Sequence, residues 1–193
     1  KYIKENSAFL IKTLQEHQNK QNQLEQEKLS NQNLSNIEKL NSQTHSMFIG
    51  NDNSDIQIFE FVDYNCGYCL KFHKEVSSVI SQESSLKLVI IQMPILGKMS
   101  DELSKLALAS SLQGKFNEVH NYLYSLKRKS SMEDILADLF IMNIDITQLK
   151  KDIESEAVQK LSSQHENIVN DFKFVGTPAI IIGNTIIPGF IKA

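Results

Sequence analysis

Cys66-Gly67-Tyr68-Cys69 constrains this chain more than any other feature, because it holds the only two cysteines and stands where a strand-like run gives way to a helical one. Ahead of it, Ile56, Ile58, Phe59, Phe61 and Val62 are strand formers, and the run ends at Asp63-Tyr64-Asn65. Behind it, as far as about Glu83, Leu70, Phe72, Val76, Val79 and Ile80 recur at helical spacings. Leu86 to Met93 reads as a second strong strand, stopped by Pro94. Strand, helix and strand of this length fit parallel pairing through a right-handed crossover.

Two cysteines with no others available must serve each other. A two-residue loop gains little from a purely structural bridge, since the entropic benefit of a disulfide grows with the loop it closes. Zinc could recruit His73 beside the two thiols, but no second Cys or Cys-His pair completes a closed shell. Leu70 stands where c-type haem attachment requires histidine. Redox chemistry is the reading left. At a strand end and helix start, unpaired backbone N–H groups and the helix dipole favour a Cys66 thiolate, so its pKa is expected to fall. That makes Cys66 nucleophile and leaving group, with Cys69, one turn inward, to resolve the mixed disulfide.

The rest of the chain fits a single domain with an appendage. A hydrophobic content of 41% supports a core, and a formal charge of -3 with mixed signs offers no basic stripe for nucleic acid. No apolar run is long enough to span a bilayer. Residues 1–20 are too polar for a signal-peptide core, as expected of a form from which an export signal has been removed. Residues 100–170 read as helices: one opening at Ser100, one over Phe116 to Leu126, one behind a Ser131/Asp134 capping box, and one from Asp145 or Thr147 carrying Leu149, Ile153 and Val158. Ala179 to Ile182, a Gly183-Asn184 turn and Thr185 to Ile187 read as a closing hairpin.

Residues 1–45 are rich in Gln, Asn, Lys, Glu and Ser, and they contain no Gly or Pro. Ile3, Leu10 and Leu24 share one heptad position, with Leu14 four beyond Leu10. His17, Gln21, Lys28 and Asn31 interrupt that seam before Leu34, Ile37 and Leu40 restore a short apolar face. The expectation is a sticky N-terminal helix followed by a pliable connector. A helix polar on most sides does not order itself, so Tyr2, Ile3, Phe9, Leu10 and Leu14 call for a partner surface, of which copies of the same chain are the simplest.

Four segments then carry a resemblance: Phe59 through Cys69, Met93-Pro94-Ile95-Leu96-Gly97, Val175-Gly176-Thr177-Pro178-Ala179 and Ile187-Pro188-Gly189. In this order, over about residues 46–190, they resemble the DsbA-like thioredoxins, and most of all the suppressor-of-copper-sensitivity subgroup. The resemblance implies an α/β thioredoxin fold over 46–193 with a helical insertion at about 98–170, preceded by an N-terminal oligomerisation segment and connector over 1–45. It implies a cis Thr177-Pro178 peptide facing the cysteines, with the Thr177 backbone pairing with an extended client beside Cys66. Glu60 has two readings: the resemblance sets it beneath the cysteines, assisting proton transfer at the inner thiol, whereas strand alternation could turn it to solvent. His73 is read as an exposed helix residue. Tyr2-Ile3-Lys4-Glu5-Asn6 with Phe9, Leu10 and Leu14 resembles the helix preceding the domain in that subgroup, where some members are trimeric. Resembling proteins close with a helix after the last strand, while this sequence stops at Ile191-Lys192-Ala193.

The expected site is therefore Cys66 and Cys69, with Gly67, Tyr68 and Glu60 in support and Thr177 and Pro178 for client binding. No metal and no cofactor beyond the Cys66–Cys69 disulfide are expected. The preferred activity is a periplasmic, oligomeric disulfide isomerase, trimeric by resemblance, that acts on misfolded exported proteins. A dithiol oxidase recycled by a membrane redox partner is the alternative, and a Cu(I)-binding protein is a third reading from another class.

Overall fold

The computed structural model describes residues 7–126 and 130–189, with side chains from Lys12 onward. Tyr2, Ile3, the side chains of Phe9 and Leu10, and the C-terminal Ile191-Lys192-Ala193 lie outside the described residues. The chain falls into two compact units that part between Ser42 and Gln43.

Among the described residues the first unit is one helix, α1, Ser7–Asn41, of 35 residues. It runs unbroken through the stretch expected to be a pliable connector. Without Gly, Pro or a run of β-branched residues, nothing in the backbone chemistry interrupts it. Leu14, Leu24, Leu29 and Leu34 are exposed on it.

The second unit is built round a five-stranded sheet. The strands are β1 Phe48–Gly50, β2 Ile56–Val62, β3 Leu86–Gln92, β4 Ala179–Ile182 and β5 Thr185–Pro188, in the order β1-β3-β2-β4-β5. β2 pairs parallel with β3 through the helix α2, Gly67–Gln82, and antiparallel with β4. Between β3 and β4 lie five helices: α3 Lys98–Leu112, α4 Phe116–Ser125, α5 Met132–Ile141, α6 Ile146–Ile153 and α7 Glu156–Phe172. The expected thioredoxin-type α/β architecture with a helical insertion is therefore present.

β2 is buried on both faces, and its alternation sorts the side chains. Phe59 and Phe61 take one face, where Phe61 meets Phe174 with ring centroids 4.6 Å apart. Ile58 and Val62 take the other and share a core with Cys69, Phe72 and Val76 of α2 and Leu106, Leu123, Ile135 and Leu149 of the insertion. Glu60 lies between Ile58 and Val62 and so falls on the cysteine face of the sheet.

Side-chain caps at Ser131, Asp145 and Ser155 explain three of the helix starts. Ser131 Oγ accepts from the Asp134 N–H, and the Asp134 carboxylate accepts from the Ser131 N–H, closing the expected capping box. Two starts are corrected. The helix expected from Asp145 through Val158 is in fact two, because Ser155 ends α6 through its N–H to Asp152 and caps α7 by accepting from the Val158 N–H. α3 begins at Lys98, and Ser100 is buried inside its first turn, where its hydroxyl accepts from Asn65 Nδ2.

Candidate active site

Cys66 is the N-cap residue of α2, with extended backbone, and both of its neighbours in sequence are exposed. Residue Cys66 is 8% exposed whereas Cys69 has no exposed surface, so Cys66 is the cysteine that can be approached from outside. Both cysteines are free thiols in this structure. Cys66 Sγ donates to the Thr177 carbonyl at 3.2 Å, across a cis Thr177-Pro178 peptide. The first sulfur thus lies against the backbone group expected to receive a client. Burial pushes the Cys69 thiol well above the ordinary thiol range. It therefore keeps its proton until something removes it.

Gly67 and Tyr68 form the exposed first turn of α2; a Cβ at Gly67 would meet open space, and the Tyr68 ring carries Lys71 Nζ 5.1 Å above its centroid. A cleft of about 350 Å³ opens beside Cys66 between Tyr64, Leu70, Met99, Leu123 and Tyr124. A second, of about 290 Å³, flanks Thr177 and Pro178 beside Val175 and Pro188. Cys66 thus lies at a recess of mixed polarity and bonds to Thr177 at the edge of a second, mainly apolar one, and the two together can take side chains of an extended chain.

Glu60 is completely buried, and neither carboxyl oxygen has a protein hydrogen-bond partner. Burial first, and charge on Cys66 second, raise its pKa well above the carboxylate range, so the group is held as the neutral acid. Of the two readings of Glu60, the structure adopts the one beneath the cysteines and not the solvent-facing one.

A model of the family described as "Thioredoxin" matches residues 42–192. The chain belongs to the thioredoxin family. Similar proteins include the probable disulfide bond formation protein D of Bacillus cereus, 26% identical over 156 residues, which cover 74% of this chain and 72% of that protein. A thioredoxin-like oxidoreductase from Silicibacter pomeroyi superposes with a TM-score of 0.71 at 29% identity over 78% of this chain and 91% of the other. A linker-deleted variant of Proteus mirabilis ScsC reaches a TM-score of 0.75 at 21% identity, a likeness of fold, over 97% of this chain and 88% of its own. Within the thioredoxin family this chain is a DsbA-like thiol–disulfide oxidoreductase.

For such an oxidoreductase the loop that presents the thiol matters as much as the thiol, and here a residue not singled out in the sequence holds it. Asp63 is buried at the end of β2, and its carboxylate accepts the N–H groups of Asn65, Ile95 and Leu96 at 2.8, 2.8 and 2.9 Å. It ties the turn into Cys66 to the loop that follows Pro94. A carboxylate closing an apolar strand directly before the motif was the available signal. Asp63→Ala would strand three backbone donors and is expected to lower stability by about 3 kcal/mol in urea unfolding, with Asp63→Asn recovering part of the loss.

His73 is a correction: it is buried, not exposed. Cys69, His73 and Val76 follow one another at i, i+4 and i+7, which places all three on the inward stripe of α2. Burial lowers the His73 pKa and so favours the neutral ring. Among the described residues no group of three or more His, Cys, Asp and Glu gathers as a metal site.

Proposed function

We propose that this oxidoreductase is an oligomeric protein disulfide isomerase of an exported compartment, the periplasm, acting on unfolded or misfolded secreted proteins. The observation that carries the reading is one thiol lining an open cleft, Cys66, joined in the same chain to a 35-residue helix that leaves Leu14 and Leu24 of a single heptad seam exposed. Packing of copies through that seam would hold several Cys66 thiols near one client and raise their effective concentration on it. Three copies is the number the resemblance favours. Disulfide chemistry on clients needs an oxidising space, which is the reason for the assignment outside the cytosol.

In this reading Cys66 thiolate attacks a wrong client disulfide; a Cys66–client disulfide forms and one client thiolate leaves. That client thiolate, or another, attacks elsewhere, and return of a client thiolate to the mixed disulfide frees Cys66 with no net oxidation. If the client stalls, Cys69 attacks Cys66 Sγ, the Cys66–Cys69 disulfide forms and the client leaves reduced. A membrane redox partner then supplies two electrons to restore the dithiol. Thr177 offers its backbone to the client by strand addition, with Pro178 shaping the recess beside it.

Reactivation of scrambled ribonuclease tests the proposal, with the full chain compared to Cys66→Ala and to a version lacking residues 1–42, each sized by sedimentation. The expected result is activity in the full chain, an oligomer, and loss in both variants. Absence of activity together with rapid oxidation of reduced ribonuclease would leave the oxidase. Stoichiometric copper retained after reducing purification, blocking both thiols, would leave the Cu(I)-binding protein.

A further inference from the structure

Native proteins bond nearly all of their buried polar groups, so a cluster of unbonded ones calls for an explanation. Seven buried side-chain polar atoms among the described residues lack a partner, and six of them lie behind Cys69: both Glu60 oxygens, His73 Nδ1, Gln92 Oε1, His120 Nε2 and the Tyr124 hydroxyl; Ser77 Oγ is the other. The residues that carry them pack as one array. His73 stacks on Tyr124 with ring centroids 4.5 Å apart and meets His120 edge-on at 4.9 Å, while His120 and Tyr124 are 5.0 Å apart. Tyr64 completes it: its hydroxyl is 2.9 Å from His120 Nδ1 and accepts from Gln92 Nε2 at 3.2 Å.

The array touches the redox site on one side and solvent on the other. Glu60 lies on the cysteine face of β2 between Ile58 and Val62, and the core packed on that face includes Cys69, Tyr64 and Tyr124. Tyr64 and Tyr124 line the cleft of about 350 Å³ beside Cys66, which opens to solvent. Every group in the array is amphoteric as it stands, because neutral imidazole and phenol each have a donor and an acceptor.

We propose that Tyr124, with Tyr64, His120 and His73, forms a proton relay that connects Glu60 and the Cys69 thiol to the cleft, so that Cys69 can be deprotonated while a bound client covers Cys66. The proposal rests on the resolving role assigned to Cys69 above. In the step, the Cys69 proton passes to one Glu60 oxygen as the proton on the other oxygen passes to the Tyr124 hydroxyl and on to water in the cleft. Cys69 thiolate then attacks Cys66 Sγ; the Cys66–Cys69 bond forms, the Cys66–client bond breaks, and the client sulfur leaves as a thiolate that takes up a proton. Tyr124, His73 and His120 act through Glu60 as positioning residues for the proton.

The test separates capture from release in the full chain. A client peptide disulfide is mixed with reduced protein in single turnover, and mixed-disulfide formation and decay are followed in H₂O and D₂O for the parent, Tyr124→Phe and Cys69→Ala. The expected result is that Cys69→Ala traps the mixed disulfide. Tyr124→Phe should slow release at least about tenfold more than it slows capture, below the roughly hundredfold or more of a direct acid–base group, with a larger solvent isotope effect on release. Release at the parent rate and isotope effect would overturn the relay alone. Equal slowing of capture and release, with a lowered unfolding midpoint, would also overturn it, by assigning Tyr124 to packing. Failure of Cys69→Ala to trap would overturn the resolving role and the relay with it.

Discussion

Cys66→Ala is expected to abolish thiol–disulfide exchange, by at least about a thousandfold, while leaving the fold intact. The two halves of that expectation have separate causes. Cys66 makes one hydrogen bond through its sulfur, to the Thr177 carbonyl, at the rim of a cleft and not at the centre of the core, so loss of the sulfur opens little cavity. Activity is lost because no other sulfur is accessible: Cys69 has no exposed surface and burial holds its proton on. Thiol titration before and after unfolding checks this directly. Cys66→Ala should bind no thiol reagent while native and one equivalent when unfolded, whereas Cys69→Ala should bind one in both states. Rapid native labelling of Cys66→Ala would contradict the assignment of roles.

Glu60→Leu is expected to stabilise the protein at neutral pH by about 1–3 kcal/mol and to slow release of clients. The sign follows from linkage. In the unfolded chain Glu60 ionises near 4.5, while the folded protein keeps it protonated to well above that. Between those limits the unfolded state has released a proton and the folded state has not. Stability is thus fully present below about pH 4.5 and lost as pH rises towards the folded value, by at most about 1.4 kcal/mol per pH unit for one proton. Leucine has no proton to lose, so the advantage of Glu60→Leu over the parent should widen from pH 4.5 to 7 in urea unfolding. Taking the difference between the two proteins cancels the buried histidines, whose lowered pKa values act in the opposite sense below pH 6.5. A difference constant with pH, or one that narrows, would show that Glu60 is ionised in the fold.

The sequence and the structure agree where one local rule suffices. β2, α2 and β3 were readable because apolar runs of strand length flank a helical period, and α5 because Ser131 and Asp134 form a complete cap. The face of Glu60 was not readable. Alternation decides a face only when one side of a strand is wet, and Phe59, Phe61, Ile58 and Val62 are all buried. Ser100 resembled a helix cap because it has a hydroxyl before two acids, but that hydroxyl is used by Asn65, a contact 35 residues away in sequence. β1 is three residues long, too short to show any period, and exists because Phe48–Gly50 finds β3 to pair with. Asp63 was passed over because its partners at Ile95 and Leu96 become neighbours only when β2 and β3 lie side by side.

The brevity of the outer strands bears on how such a protein survives its own clients. Chains that are not yet folded carry bare backbone donors and acceptors, and they seek any sheet margin that offers a matching row. Here one margin is β1, three residues ending at Gly50, and the other is β5, four residues ending at Pro188, which has no N–H to give. Neither offers enough register to template a growing stack. High concentrations of aggregating polypeptide should therefore leave the protein itself in solution.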